Sequence, residues 1–448
     1  MSGPVFSALP SSLRDYVCEP GDGSLTVLAI DRPMPVLRTI LLIVLFVCPA
    51  TAWCQVHEDQ SAPTLTYRFT QPSGQTHIGF ELNANKIYVP VRVNNKGPYW
   101  FILDTGSVSN VVDTDLARSL SIQAGDSFEA QGAGEKTITG ATGSNVSLAI
   151  SDLELTQAKI DIEPVNAAIS SAEGRRVDGL LGYDLLSRFV VEIDYVSREV
   201  AIVEPSRFRY IGQGDTIPLE IIRGNILVPA GLTTANGSTV EGTFLVDTAW
   251  RSALTLTSPF VAIHKLLTTT PRTINAVTGM GIGGSTVDTI GRLPKLRLGQ
   301  YAIENFVADF SHAKAGVLSQ GDFAGVIGAE ILRRFKVIFD YPRGRMIIEP
   351  LATLKAPYEF DMSGLFITSE VDSFKAFKVY SIIKDSPAAE AGIREGDVIT
   401  AIDEQPASRL TLDQVRQTFK GVEGKEHSLA VTRNGETRTV KLRLRRLI

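Results

Sequence analysis

The sequence predicts a mainly β protein: two similar β-barrel lobes in tandem, followed by a smaller α+β module. Three observations carry that expectation. Residues 97–205 and 242–350 present the same motifs in the same order, the mark of an internal duplication. Their segments are mostly short Val- and Ile-rich runs broken by Gly, Asn and Asp, as strands are. Beyond Pro350 the remaining residues read as a module of their own.

Composition bounds the function. With 448 residues, 44% of them hydrophobic, the chain can bury several cores, and about three domains are expected at roughly 150 residues each. The 44 Lys plus Arg stand against 49 Asp plus Glu, so the basic excess of a nucleic-acid binder is missing. Five scattered His, three Cys and no HExxH or CxxC spacing argue against a metal site, which needs three or four convergent ligands. No cofactor is expected.

The N-terminal region speaks to compartment. Thr39 to Gln55 carry no charge, Arg38 precedes them, and Ala50-Thr51-Ala52 offers a small-x-small cleavage site. That is the layout of a secretory signal peptide ending near Ala52, which implies a periplasmic or secreted protein. The segment before it is acidic, wrong for a signal n-region, so Met34 is the expected start. Cleavage leaves Cys54 alone, with no intrachain disulfide, and the bulky Trp53 disfavours lipidation of Cys54. An uncleaved segment would be a membrane tether, although Ile40 to Val47 is short for a span.

The first repeat reads FILDTGSVSNVV at 101–112 and DGLLGYDLLSRFVVEIDY at 178–195, then Glu204-Pro205. The second reads FLVDTAWRSALTL at 244–256 and AGVIGAEILRRFKVIFDY at 324–341, then Glu349-Pro350. Asp104 and Asp247 are 143 residues apart, and Gly182 and Gly328 are 146 apart. Strands are expected at 86–93, 146–150, 190–193 and 336–339, with one helix per lobe at 184–189 and 330–335.

Each Asp-Thr motif delivers a carboxylate at the end of an apolar strand, a costly place unless the charge is paired or used. Together with Leu180-Leu181-Gly182 and Val326-Ile327-Gly328 downstream, these segments resemble the aspartic proteases, specifically bacterial proteins built from retropepsin-like lobes. The resemblance covers residues 85–350 and implies a pepsin-like bilobal pseudo-dimer. It implies that Asp104 and Asp247 are catalytic and share one proton, because two carboxylates about 3 Å apart cannot both ionise. One would act as general base on water while the other polarises the scissile carbonyl. Thr105 and Thr248 would cross-link the two loops, with Gly106, Ser107 and Ala249 completing them, and the segments ending at Gly182 and Gly328 would support them from below.

Two departures bear on that reading. The second motif is Asp-Thr-Ala followed by Trp250; if the turn there needs a positive φ, Ala249 is strained. Residues 115–165 contain no Tyr, so the flap tyrosine of pepsins is missing. The glycine-rich stretches 131–134 and 280–284 read either as paired flaps or as ordinary hairpin turns. Asp113 and Asp115 are expected to cap the turn before Leu116, and Asp194 and Asp340, each followed by Tyr, to form turns. No G-x-S-x-G elbow occurs, and no His has a nucleophile neighbour, so a serine or cysteine hydrolase is not expected.

In the C-terminal module, Ser386-Pro387-Ala388-Ala389-Glu390-Ala391-Gly392 is a short helix with a Ser cap and a Gly stop, leading to Gly396-Asp397-Val398-Ile399. Thr411 to Gln414 form a capping box, and Asn434-Gly435 closes a final hairpin. These residues resemble a PDZ domain of bacterial proteases. That implies capture of a peptide or protein C-terminus by strand addition, with the loop Gly364, Leu365, Phe366 holding the carboxylate; Ser363 departs from the usual loop. The expected divisions are an N-terminal extension and signal peptide (1–52), a linker (53–78), lobe 1 (79–206), lobe 2 (207–350), a linker (351–357) and the PDZ domain (358–448). The expected activity is aspartic endopeptidase action on polypeptides, with the PDZ domain for substrate capture or regulation. A catalytically inactive peptide-binding scaffold, and sites formed between chains rather than within one, stay open at this point.

Overall fold

A computed structural model describes residues 65–371 and 373–448; the signal-like segment, with Met34, Ala52 and Cys54, lies outside them. Each lobe is a sheet wrapped about one strand whose C-terminal end is buried. In lobe 1 that strand is Lys96–Leu103, paired antiparallel with Lys86–Val93 and parallel with Gly179–Leu181. In lobe 2 it is Thr239–Asp247, paired antiparallel with Asn225–Thr233 and parallel with Gly325–Gly328. Parallel pairing at the centre buries both strand faces, which is why Phe101-Ile102-Leu103 and Phe244-Leu245-Val246 are continuous apolar runs rather than alternating ones.

A six-stranded sheet drawn from both repeats joins the lobes. Its order is Asp215–Pro218, Arg345–Pro350, Phe335–Asp340, Val190–Asp194, Glu199–Val203, Gln75–Gly79. The central pair is antiparallel, with Val190 opposite Asp340 and Ile193 opposite Val337, one strand from each repeat. One apolar cluster runs from Val89 and Phe101 through Val191 and Val337 to Phe244 and Phe306. The lobes therefore pair within the chain.

Several expectations need correction. The stretch 53–78 is not simply a linker: Thr66–Phe69 pairs with Leu153–Glu163, and Gln75–Gly79 closes the edge of the shared sheet. Residues 351–357 hold a 3₁₀ turn, Ala352–Lys355, with Leu351 and Leu354 packed on the lobe core. The helices after Gly182 and Gly328 are single turns, Tyr183–Leu186 and Ala329–Leu332. A longer helix, Val165–Glu173, was not anticipated. Its start at Pro164 fits a proline that lacks an amide to satisfy, and Gly174 ends it at φ +70°.

The C-terminal module has its own core around Phe377, Val379, Val415 and Leu429. Its helix Pro387–Glu390 is capped by the Ser386 hydroxyl, its helix Leu412–Phe419 by the Thr411/Gln414 box, and its last hairpin turns on Asn434 and Gly435, both at positive φ.

Asp194 and Asp340 occupy matched places yet differ in role. Asp194 forms the expected turn, accepting from the Val196 and Ser197 amides. Asp340 is fully buried and held by Arg343 at 3.0 Å and Arg345 at 2.7 Å. Both arginines keep about a third of their side chains in solvent, so Asp340→Ala should destabilise the lobes by about 1.5–3 kcal/mol, the worth of its charged hydrogen bonds. Asp194→Ala should cost about 1 kcal/mol. Urea unfolding of the two variants checks the difference.

Candidate active site

The two Asp-Thr motifs meet where the central strands of the lobes end. The Thr105 hydroxyl donates to the Val246 carbonyl at 2.8 Å, and the Thr248 hydroxyl donates to the Leu103 carbonyl at 2.6 Å. Each hydroxyl also accepts the other threonine's amide, both at 3.1 Å. Four reciprocal hydrogen bonds, all buried, thus bind the lobes at this point, in the arrangement expected for Thr105 and Thr248.

Each carboxylate is oriented by its own turn. Gly106 N–H donates to Asp104 Oδ1 at 2.9 Å, and Ala249 N–H donates to Asp247 Oδ1 at 2.7 Å. Ala249 is not among the positive-φ residues, so the strain considered for it does not arise. Gly106 is required by proximity instead, since a Cβ there would lie 2.5 Å from Asp247 Oδ2. That distance also measures how closely lobe 1's turn approaches lobe 2's carboxylate. Beneath the turns, a Cβ on Gly182 would meet the Ser109 carbonyl, and one on Gly328 the Ser252 carbonyl, each at 2.2 Å. The Leu181 carbonyl accepts the Asp104 amide at 2.9 Å.

Burial raises the Asp104 carboxyl above its ordinary range. Burial and the charge of Asp104 together raise Asp247 well above it. Removal from water and like charge both disfavour a second ionisation, so the pair favours holding one proton. Lys86 opposes this in part, its charge favouring the ionised form of both. Lys86 is buried and bound to Glu173 at 2.8 Å, and Tyr88 Oη donates to the same Glu173 at 3.0 Å. Neither Lys86 nor Glu173 was singled out from sequence, since a lysine leading an apolar strand reads as a solvated end.

The carboxylates lie in a cleft of about 580 Å³, also lined by Glu163, Arg251 and Asp309. Burial pushes Asp309 up to about 7. The two glycine-rich stretches form its roof. They are hairpin tips, following Ala124–Ala130 and joining Thr273–Gly281 to Gly284–Leu298, and they engage each other. Gly134 N–H donates to the Ile282 carbonyl at 2.9 Å, and Lys136 N–H to the Gly283 carbonyl at 3.1 Å. A Cβ on Gly134 would sit 2.2 Å from the Gly283 carbonyl carbon, so glycine is what allows the tips to close. Trp250 also lines the cleft, its Nε1 donating to Thr255 Oγ1 at 2.8 Å. Among the described residues, no group of three or more His, Cys, Asp or Glu is placed to hold a metal ion.

The expected carboxylate loop of the C-terminal module is already engaged. Asp361 Oδ1 accepts from the Ser363 amide, the Ser363 hydroxyl and the Gly364 amide, at 2.8, 2.6 and 2.8 Å. The Leu365 amide donates to Ser363 Oγ at 3.1 Å. Gly364 and Leu365 therefore do not offer free amides to a chain end, because an internal carboxylate and a hydroxyl have taken them. Arg416, on the helix beside that loop, donates to the Ala172 carbonyl of lobe 1 at 2.6 Å. A cavity of about 170 Å³ lined by Phe366 and Arg416 shares Arg251, Ser252, Thr278 and Asp309 with the central cleft.

Two of these parts match known families. Residues 89–185 match the family described as aspartyl protease, and residues 378–433 match the PDZ domain. A probable CtpA-like serine protease of Staphylococcus haemolyticus is 34% identical over 86 residues, 18% of this chain and 17% of that protein. The chain thus spans about a sixth of that relative. The aspartic proteinase of Irpex lacteus, a crystal structure, is similar at 14% identity and a TM-score of 0.42, over 63% of this chain and 99% of that one. The chain carries a retropepsin-like aspartyl protease segment and a C-terminal PDZ domain.

The threonine exchange has a measurable strength. Thr248→Val would orphan the Leu103 carbonyl and the Thr105 amide in a buried site and should destabilise the protein by about 2–3 kcal/mol. Thr248→Ser keeps the hydroxyl and should cost about 1 kcal/mol or less. Urea unfolding midpoints separate the two.

Proposed function

We propose that this chain is an aspartic endopeptidase whose single active site is the Asp104–Asp247 pair. The observation that carries the reading is the reciprocal Thr105–Thr248 exchange, which holds two raised-pKa carboxyls against each other under a closed roof. In this reading Asp104, the less perturbed group, is ionised and takes a proton from a water molecule as it attacks the scissile carbonyl. Asp247 holds its proton and donates a hydrogen bond to the carbonyl oxygen, stabilising the charge that develops there. The tetrahedral adduct then breaks its C–N bond as Asp104 passes its proton to the leaving amine, which releases the amine and the new carboxylic acid and returns Asp104 to its carboxylate, with Asp247 still protonated. The apolar lining, including Ile102, Leu180 and Leu245, excludes bulk water and keeps the pair desolvated.

The hairpin tips at 134 and 282–283 part to admit an extended polypeptide and re-form their contact over it. The PDZ domain serves substrate capture or regulation in the same reading. Its helix Leu412–Phe419 touches the helix Val165–Glu173 through Arg416, so the module rests against a wall of the cleft. That Ala249 keeps its hydrogen bond to Asp247 at a negative φ supports the enzyme reading over the inactive-scaffold alternative.

Asp104→Asn and Asp247→Asn should each reduce peptide cleavage by at least about 10⁴-fold, as removal of one member of a unit does. Mass-spectrometric readout of a peptide library checks this; cleavage that survives either change contradicts the proposal. Activity requires the singly protonated pair, so it should fall as pH drops through the raised value of the first carboxyl and again as pH rises through that of the second. Because both are raised, the pH–rate maximum should lie above the ordinary aspartate value of about 4. A maximum below that value would count against the assignment.

A further inference from the structure

The strand Leu153–Glu163 ends in the cleft, and its last residue has no partner there. Glu163 keeps 7% of its surface exposed, and it lines the cleft. Among the described residues its carboxyl makes no hydrogen bond or ion pair, and the charges that act on it, Asp161 and Asp104, are of its own sign. The cations that line the cleft have other partners: Lys86 bonds Glu173, and Arg251 donates to the Thr278 carbonyl at 3.1 Å. Asp161 is held by the Ser109 hydroxyl. Lobe 1 also gives the cleft Ile102, Val165, Ile169 and Leu180, members of one apolar cluster.

A carboxyl with no protein donor that opens only onto the cleft is met there by water or by a group that arrives with a substrate. The arriving group must bring positive charge on a long apolar stem. We propose that Glu163 and this apolar wall form a subsite for a lysine or arginine side chain of the polypeptide, the stem packing on the wall and the cation meeting the carboxyl. Lysine and arginine suit it because their methylene stems bury readily while the head seeks a charge. Burial and the neighbouring acids push Glu163 up to about 7, so the empty site need not hold a bare charge, and an entering cation draws the proton off. The inference rests on the endopeptidase reading and names its substrate class.

The test separates the two. Full-length protein is titrated by calorimetry with statine-centred peptides carrying one lysine, or norleucine in its place, at each position flanking the statine. Cleavage of the matching statine-free peptides is read in parallel. At one position the wild type should favour lysine by roughly tenfold or more, as a charge-assisted pair does. Glu163→Gln should bring that ratio near one, and Glu163→Lys should take it below one, since two cations then repel. Ratios taken within each protein are insensitive to partial loss of folding. A ratio near one at every position in the wild type, or one that survives Glu163→Gln, overturns the subsite. Lysine-selective binding without any cleavage supports the subsite and overturns the enzyme reading, cleavage without lysine preference does the reverse, and absence of all binding overturns both.

Discussion

The exchange of hydrogen bonds between Thr105 and Thr248 is the interaction on which the rest of the molecule depends. Two hydroxyls, two amides and two carbonyls are buried at the meeting of two lobes, each dependent on the others for its hydrogen bonds. Unmet polar groups in such a place are costly, so the relative position of the two strand ends is strongly specified. The shared six-stranded sheet and the continuous apolar cluster bring the lobes together broadly. The threonines set their final register, and with it the separation of the two carboxyls.

That register creates an electrostatic problem, which the surroundings resolve only in part. Burial pushes both carboxyls toward the neutral form and the charge of Asp104 pushes Asp247 further, while turn amides and Lys86 pull toward the charged one. A balance of this kind favours a state with one charge and one proton, which is what water activation requires. The roof above the pair is closed by backbone bonds between the two hairpin tips, Gly134 to Ile282 and Lys136 to Gly283.

Much of this was legible in the sequence because duplication leaves matched motifs at matched intervals. Asp104 and Asp247, the threonines that follow them, and the apolar-Gly segments beneath could be placed before any coordinates. What escaped notice depends on partners distant in sequence. Lys86 reads as a strand end, and only Glu173, 87 residues away, explains its burial. The helix Val165–Glu173, rich in Ala and Ser, lacks a broad apolar stripe and was overlooked. Asp361 looks like a loop residue, and its capture of the Ser363 and Gly364 amides depends on the turn it sits in. Ala249 raised a doubt about strain that only its φ could resolve.

The central claim is that two carboxyls hold one proton between them in the folded chain. Carbon-13 NMR titration of aspartate carboxyls in the full-length protein, with Asp104→Asn as reference, tests it without any substrate. Two coupled steps are predicted for the pair, the later one well above the ordinary aspartate range, with that late step moving down once Asp104 carries no charge. Two independent steps within the ordinary range, unaffected by the substitution, would contradict the account.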